Sequence, residues 1–309
     1  MNPTRRDTPF REAMRSLLVF DGAMGSLLYE RGVFVTQNFE QLNVTRPDVV
    51  RKIHEDYIAA GAQVVETNTF GANTFCLDRH GLGDQVRAYN LAGARLARTA
   101  AGEDAWVAGS IGPTGLVPGV ATRAELDQVA ATFAEQATTL AEGGVDLFVL
   151  ETFRHLEEIR IAIEAARRAA PGLPIIASMT FDASESVADG STPEQVATTL
   201  RDWGADGIGV NCGDGPQLAL AIAERLRGAG LPLSVQPNAG LPRTVDGRLL
   251  YMATPEYLDV FARRTIQLGA TMVGGCCGTT PDHVRWMAKS SRMLGDKHTE
   301  VVRNRPITA

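Results

Sequence analysis

The chain has 309 residues, of which 44% are apolar, so it is long enough for one large domain or two small ones with a substantial core. A net charge of −6, with no basic cluster among interleaved aromatic residues, argues against a nucleic-acid-binding surface. The charged start lacks the apolar stretch of a signal peptide, and no apolar run approaches the length of a membrane span. Four cysteines in so long a chain do not suggest a disulfide framework, so we expect the protein to be located in a reducing cytoplasm.

The chain repeats one pattern eight times: a short apolar run, a polar or glycine-rich end, and then a helical stretch. The runs are rich in Val and Ile and too short for helices, which predicts strands. Their continuous apolarity is typical of strands buried on both faces in a parallel sheet. The eight runs are residues 17–21, 63–67, 106–110, 147–151, 175–180, 207–211, 233–237 and 271–275. Eight strand–helix units predict a (β/α)8 TIM barrel, a fold whose active sites lie at the carboxyl ends of the strands.

We expect the barrel to span residues 17–294, after an N-terminal segment of residues 1–16 and before a flexible polar tail of residues 295–309. Capping and first-turn patterns mark the starts of several predicted helices. These patterns are Arg46-Pro47, Thr122 with Glu125, Thr192-Pro193, Thr254-Pro255 and Thr280-Pro281.

Two adjacent cysteines, Cys276 and Cys277, follow the last predicted strand among glycines. Neighbouring side chains of a strand point to opposite faces, so these thiols can share a target only where the strand has ended and the chain turns. A third cysteine, Cys212, follows the sixth strand. Three thiolates suit zinc, and the incomplete tetrahedron leaves one position for a substrate. Inert buried thiols, or a strained disulfide between the neighbours, are the alternatives, and Cys76 is expected to be an ordinary thiol.

The predicted topology gathers the polar strand ends at one rim of the barrel. The cysteines follow strands six and eight, and strand seven lies between them, so we expect the thiols to be close together. The side chains expected at this rim are Asp21, Asn68, Glu151, Asn211, Cys212, Asn238, Cys276 and Cys277.

Seven motifs at these strand ends carry a resemblance to a known family. They are DGAMG at 21–25, TNTFGA at 67–72, GSIGPTG at 109–115, ETF at 151–153, GVNC at 209–212, PNAG at 237–240 and GCCGTTP at 275–281. Together they span nearly the whole chain, which resembles the homocysteine methyltransferase family and above all the homocysteine-binding module of cobalamin-dependent methionine synthase. The resemblance implies a zinc-dependent transfer of a methyl group to the thiol of homocysteine, which forms methionine.

The resemblance also implies roles for single residues. Glu151 would hold the amino group of homocysteine, and Asp21, Gly22 and Ala23 would cradle its ammonium and carboxylate groups. Asn238 resembles the labile fourth zinc ligand that the substrate displaces. The residues alone leave other roles open: a salt bridge or helix cap for Glu151, and a turn for Asp-Gly or for Asn238.

Four residues in and just before the TNTFGA motif are less informative. Thr67, Asn68 and Thr69 are expected to shape the substrate pocket, without an assigned chemical step. Glu66, inside the second predicted strand, has no role that the sequence explains.

The methyl donor is the least determined part of the function. In the large methionine synthases the resembling module is followed by folate, cobalamin and activation modules, and this chain ends, so we expect a donor from a separate corrinoid protein or a free small molecule. Relatives that use S-methylmethionine resemble one another in an arginine after the paired cysteines, where this chain has Gly278. We expect this glycine to leave the zinc approach open for methylcobalamin, with S-methylmethionine or S-adenosylmethionine as the alternative.

Two other function classes remain for comparison. A non-catalytic homocysteine- or zinc-binding subunit of a split methionine synthase would have the same sequence features. A Schiff-base aldolase needs a lysine at a strand end, and Lys52, Lys289 and Lys297 all lie elsewhere.

Overall fold

The structure is a computed structural model that describes residues 4–5, 7–34, 36–245 and 248–303. Ten strands lie along this part of the chain. They are β1 Leu18–Val19, β2 Val64–Glu66, β3 Trp106–Ile111, β4 Leu147–Phe153, β5 Ile175–Met179, β6 Gly207–Cys212, β7 Leu233–Pro237, β8 Arg243–Val245, β9 Arg248–Leu250 and β10 Met272–Val273.

Eight of these strands form one parallel sheet in the order β1-β10-β7-β6-β5-β4-β3-β2. The sheet closes on itself because Phe20, just after β1, makes a parallel bridge with Val64 of β2. The predicted (β/α)8 barrel is therefore confirmed, and each of the eight apolar runs supplies one barrel strand. The two remaining strands, β8 and β9, form an antiparallel hairpin that the sequence did not predict.

Apart from α1, which precedes β1, the helices follow the barrel strands and most of them cover the outside of the sheet. They are α1 Phe10–Ala13, α2 Gly25–Glu30, α3 Leu42–Thr45, α4 Pro47–Ala60, α5 Thr74–Asp78, α6 Val86–Ala101, α7 Arg123–Glu142, α8 Leu156–Ala169, α9 Pro193–Asp202, α10 Pro216–Leu226, α11 Pro255–Leu268 and α12 Pro281–Arg303. The predicted starts of α4, α7, α9, α11 and α12 agree with these bounds. Thr122 and Glu125 form the expected capping box, in which each side chain bonds the other residue's backbone N–H.

The strands are buried on both faces, and this produces two apolar layers. One layer lies between the sheet and the helices, and the other fills the barrel interior. The amino end of the interior is closed by α1, where the ring of Phe10 meets Trp106 edge to face at 5.9 Å between centroids. Part of segment 1–16, which the sequence set apart from the barrel, thus packs inside it.

The last helix, α12, continues past residue 294, where the sequence placed the end of the barrel. Residues 304–309 of the expected tail, like residues 1–3 and 6 of the N-terminal segment, lie outside the described residues. None of the helices in the described ranges combines the length and the apolar character that a membrane crossing requires.

Candidate metal and substrate site

Three thiols meet at the carboxyl end of the barrel. Cys212 is the last residue of β6, and Cys276 and Cys277 follow β10; β7 lies between these two strands. The three sulfur atoms all lie within 4.8 Å of one another. Within the described ranges, no other group of three His, Cys, Asp or Glu side chains is placed to hold one metal ion. The structure therefore brings together the three cysteines predicted as zinc ligands.

The backbone around the thiols explains how adjacent cysteines face one point. The strand has ended at Val273, and the N–H of Cys276 donates to the carbonyl of Pro237 at 2.8 Å. The hydroxyl of Thr279 then donates back to the carbonyl of Cys276 at 2.7 Å, which closes a turn. Cys212 has a φ of 61°, a left-handed conformation that costs energy for a residue with a side chain. Such a strained conformation persists where the surrounding structure fixes the residue. At Cys212 this conformation directs the thiol toward Cys276 and Cys277.

The thiols also shift one another's protonation. Hydrogen bonds from Cys276 and Cys277 lower the pKa of Cys212 to about 3, while burial opposes this change. The same bonds to Cys212 raise the pKa of Cys276, and they raise the pKa of Cys277 to about 11. Of the three thiols, Cys212 is therefore the one that ionises most readily.

Asn238 lies beside the thiols, as expected for a weak fourth ligand. Its amide Nδ2 donates to the carbonyl of Gly213 at 2.7 Å and also bonds to Cys212. Its Oδ1 atom is buried and has no hydrogen-bond partner among the described residues. A buried oxygen left without a partner is costly, and a cation next to it would remove that cost.

Cys76 is separate from the cluster, as predicted. It lies on α5, and its thiol faces the carbonyls of Pro113 and Thr114 at 3.6 and 3.8 Å.

A cavity of about 350 Å³ opens beside the three thiols, and we call it the substrate cavity. The predicted residues that line it are Gly22, Ala23, Thr67, Asn68, Glu151, Cys212, Cys276 and Cys277. None of the described residues in its lining is a Lys, Arg or His, whereas three are glutamates. The cavity is therefore suited to a cationic group rather than to an anion held by a basic side chain.

Glu151 is held inside this cavity by two neighbours. The hydroxyl of Ser110 donates to Oε1, and the amide of Asn211 donates to Oε2 at 3.4 Å. Burial raises the pKa of Glu151 to about 7, the Ser110 bond lowers it, and the negative charge of Cys212 raises it further. Among the described contacts no cationic side chain pairs with Glu151, so the alternative of a salt bridge is not what the structure contains.

Gly22 and Ala23 form part of one wall of the cavity. The carboxylate of Asp21 and the N–H of Ala23 already form hydrogen bonds within the protein. The carboxylate of Asp21 is buried under the cavity and accepts the N–H of Glu66 at 3.0 Å. The N–H of Ala23 donates to the hydroxyl of Thr279 at 3.1 Å. At Gly22 a Cβ would come within 2.4 Å of that hydroxyl oxygen, so glycine is required by the close packing.

Thr67 and Asn68 shape the cavity through bonds to the protein. The Thr67 hydroxyl accepts the N–H of Ser110 at 3.0 Å. The Asn68 amide donates to the carbonyl of Phe39 at 2.8 Å and to the side chain of Asn43 at 2.9 Å. Both side chains thus fix the loops that form the cavity wall.

Sequence reasoning missed Tyr251, which lies against Gly278. The ring of Tyr251 covers Gly278, where a Cβ would lie 2.0 Å from the ring's Cγ, and the Tyr251 hydroxyl bonds to the Cys277 thiol. The ring of Tyr251 occupies the space that a side chain at position 278 would need, while Cys277 and Gly278 still line a cavity, so the expectation that Gly278 leaves the approach to the thiols open stays a prediction. No sequence pattern marked Tyr251, which follows a hairpin that was not predicted.

A second cavity, of about 690 Å³, lies on the outer side of the thiols and shares Cys277 with the substrate cavity. We call it the outer cavity. About half of its lining residues are aromatic or aliphatic, and its walls come from α2, the loop after α2, the end of the β8–β9 hairpin and residues 277–283. Phe34, Leu249 and Leu250 are exposed at its edge.

Comparison with known proteins agrees with this site. A sequence model of the family described as homocysteine S-methyltransferase matches residues 18–291. The methionine synthase of Mycobacterium leprae is 33% identical over 315 residues, which cover 96% of this chain and 26% of that protein. The methionine synthase of Mycobacterium tuberculosis is 34% identical over 291 residues, which cover 88% of this chain and 24% of that protein. The chain thus spans about a quarter of the length of these curated relatives.

Among solved structures, the metallated form of the homocysteine methyltransferase MmuM from Escherichia coli superimposes with a TM-score of 0.76 and 26% identity. The match covers 91% of this chain and 99% of that one. Fold, site and family match agree: the chain belongs to the homocysteine S-methyltransferase family.

Proposed function

We propose that this protein transfers a methyl group to the thiol of homocysteine and forms methionine, with zinc as its metal. The observation that carries the proposal is the cluster of Cys212, Cys276 and Cys277, whose sulfurs lie within 4.8 Å of one another at the wall of the substrate cavity.

The donor set suits zinc with an exchangeable position. Cys212, Cys276 and Cys277 would hold the metal, and Asn238 would supply a weak oxygen ligand through its unpartnered Oδ1. Zinc would supply a lowered pKa for a bound substrate thiol, so that the thiolate is populated at neutral pH. All four cysteines are free thiols, and we propose the reducing cytoplasm as the compartment in which they remain so.

The substrate cavity supports an amino acid as the methyl acceptor. The Glu151 carboxylate faces the cavity and would bind the ammonium group of homocysteine. Because no described lining residue is basic, the substrate carboxylate would be bound by backbone N–H groups of residues 22–26 and the hydroxyl of Ser26. The protein would thus hold homocysteine by its amino and carboxylate groups and place the homocysteine sulfur at the cysteine cluster.

The chemical step is a displacement. The homocysteine thiolate attacks the methyl carbon, and a carbon–sulfur bond forms while the bond between the methyl group and the donor breaks. The electron pair of the broken bond stays with the donor, and the thiol proton has left before the attack.

For the donor we propose methylcobalamin, either free or on a separate corrinoid protein. The size and apolar walls of the outer cavity support a bulky donor that approaches from the side of Cys277. The similarity to methionine synthases supports the same choice. S-methylmethionine or S-adenosylmethionine is the alternative donor.

The test is methyl transfer by the isolated, zinc-loaded chain to homocysteine from methylcobalamin, S-methylmethionine and S-adenosylmethionine in parallel. Cysteine, shorter by one methylene, is the matched acceptor control. Turnover with homocysteine and a preference among donors is the expected result. Homocysteine binding without turnover from any donor would instead identify a non-catalytic subunit.

A further inference from the structure

Three carboxyl groups lie close together at the base of the substrate cavity, and we call Asp21, Glu66 and Glu151 the acid cluster. They come from the ends of β1 and β2 and from β4. The other titratable groups that line the cavity around them are the thiols of Cys212, Cys276 and Cys277 and the carboxyl group of Glu40. Glu40 is already bonded to the N–H of Gly71 at 2.7 Å and to the amide of Asn38 at 2.8 Å. No Lys, Arg or His belongs to the described lining of the cavity, so none of these lining residues neutralises the carboxylates.

Glu66 is fixed in this cluster from the opposite side of the barrel. The amide Nε2 of Gln236 donates to Glu66 Oε1 at 2.9 Å. The orientation of that amide is set by Ser234, whose hydroxyl donates to Gln236 Oε1 at 2.9 Å. The side chains of Glu66 and Glu151 are themselves in hydrogen-bonding contact.

Two carboxyl groups in contact at a buried site hold one proton between them, because two adjacent negative charges without a cation repel strongly. The hydrogen bonds indicate which one is ionised. Glu151 accepts from both Ser110 and Asn211, which stabilises its carboxylate. Glu66 accepts one side-chain hydrogen bond, from Gln236. Its other oxygen can therefore carry a proton and donate a hydrogen bond. Burial, followed by the charges of Glu151 and Asp21, raises the pKa of Glu66 well above its ordinary value.

We propose that Glu66 is protonated in the homocysteine-free enzyme and donates a hydrogen bond to Glu151, so that the pair offers a single negative charge to the substrate. Glu66 is then a positioning residue, which orients the Glu151 carboxylate for one ammonium group. The inference rests on the proposed function, because it takes the amino group of homocysteine as the cation that Glu151 binds. It explains why a glutamate in β2 faces another glutamate without a basic partner.

The first test uses the isosteric change Glu66→Gln, which keeps a neutral donor in place, beside Glu66→Ala, which removes it, and Glu151→Gln. Homocysteine binding is measured by calorimetry on zinc-loaded protein, after metal content and melting temperature are shown to match the wild type. We expect Glu66→Gln to bind within about 3-fold of the wild type and Glu66→Ala to bind roughly 10-fold more weakly, the effect of one hydrogen bond to a charged group. Glu151→Gln should bind more weakly than either.

The pH dependence separates a neutral Glu66 from an ionised one. Homocysteine affinity should rise with pH as Glu151 ionises, and the midpoint of this rise should be the same in Glu66→Gln as in the wild type. If Glu66 were ionised, its removal would lower the pKa of Glu151 and shift the rise to lower pH. Loss of affinity in Glu66→Gln equal to that in Glu151→Gln, or a shift of the rise, would overturn the proposal.

Infrared difference spectroscopy gives a reading that does not depend on homocysteine. The wild-type minus Glu66→Gln spectrum at pH 7 should show the C=O stretch of a protonated carboxylic acid, and a carboxylate band there instead would overturn the proposal. If wild-type protein does not bind homocysteine at all, the proposed function fails. If the wild type binds and Glu66→Gln does not, only the role of Glu66 fails.

Discussion

The aromatic ring of Tyr251 lies on the backbone of Gly278, and its hydroxyl bonds to the thiol of Cys277, the residue before that glycine. Gly278 has a φ of 80°, so both its backbone conformation and the space above it require glycine. One tyrosine from the segment after the β8–β9 hairpin thus contacts both the turn that carries the paired cysteines and one of the three sulfurs.

The first prediction concerns this contact. Gly278→Ala should lower the free energy of unfolding by about 2–4 kcal/mol, because it adds a steric clash to an unfavourable φ. Tyr251→Ala removes the clash and leaves the φ strain, so the double variant should be less destabilised than the sum of the two single ones. Denaturant unfolding of the four proteins measures this, and simple additivity would show that the ring does not press on residue 278.

The second prediction is that the Tyr251 hydroxyl supports metal binding. Tyr251→Phe should keep the fold and weaken zinc binding by about 10-fold, the usual effect of losing a hydrogen bond to a metal ligand. Competition with a zinc chelator measures the affinity. Tyr29→Phe is the matched control, since Tyr29 lines the same outer cavity, and it should bind zinc like the wild type. Equal affinities for all three proteins would remove Tyr251 from the metal site.

The third prediction assigns the ligands. Cys212→Ala, Cys276→Ala and Cys277→Ala should each lose tightly bound zinc, whereas Cys76→Ala should keep one zinc per chain. We expect the barrel to stay folded in all four, because its apolar layers do not depend on the rim. Metal analysis after dialysis, with circular dichroism as a check on folding, decides the assignment. Full zinc retention in any of the first three variants would exclude that cysteine.

The fourth prediction concerns acid stability and the buried His54 of α4. Both ring nitrogens of His54 lack a partner among the described residues, and burial lowers its pKa from 6.5 to about 4. The unfolded chain therefore binds the proton first, so stability present above pH 6.5 is lost as pH falls toward 4. At pH 4.5 this linkage costs about 2.5 kcal/mol relative to neutral pH.

The measurement is denaturant unfolding of metal-free wild type and His54→Leu at pH 7.5 and pH 4.5. The variant should lose less stability than the wild type between these two values, by about 2.5 kcal/mol. The exposed His80, changed to Leu as a control, should leave the difference unchanged. Parallel losses in wild type and His54→Leu would show that His54 is not the group responsible.

The fold and the cysteine cluster could be predicted from the sequence because their signals are local. Strands buried on both faces are continuous apolar runs, and their ends fix the rim on which Cys212, Cys276 and Cys277 meet. The partners of Glu66 and Gly278 could not be predicted in this way. Gln236 reaches Glu66 across the barrel from a distant part of the chain, and Tyr251 reaches Gly278 from an exposed hairpin without an apolar alternation.

The central claim is that the thiol of homocysteine joins three cysteine sulfurs on one metal ion. X-ray absorption at the zinc edge, recorded on the zinc-loaded protein before and after homocysteine is added, counts the sulfur ligands directly. We predict three sulfurs and one lighter ligand before addition, and four sulfurs afterwards. A count that stays at three with homocysteine bound, or that is already four without it, would contradict the proposed function.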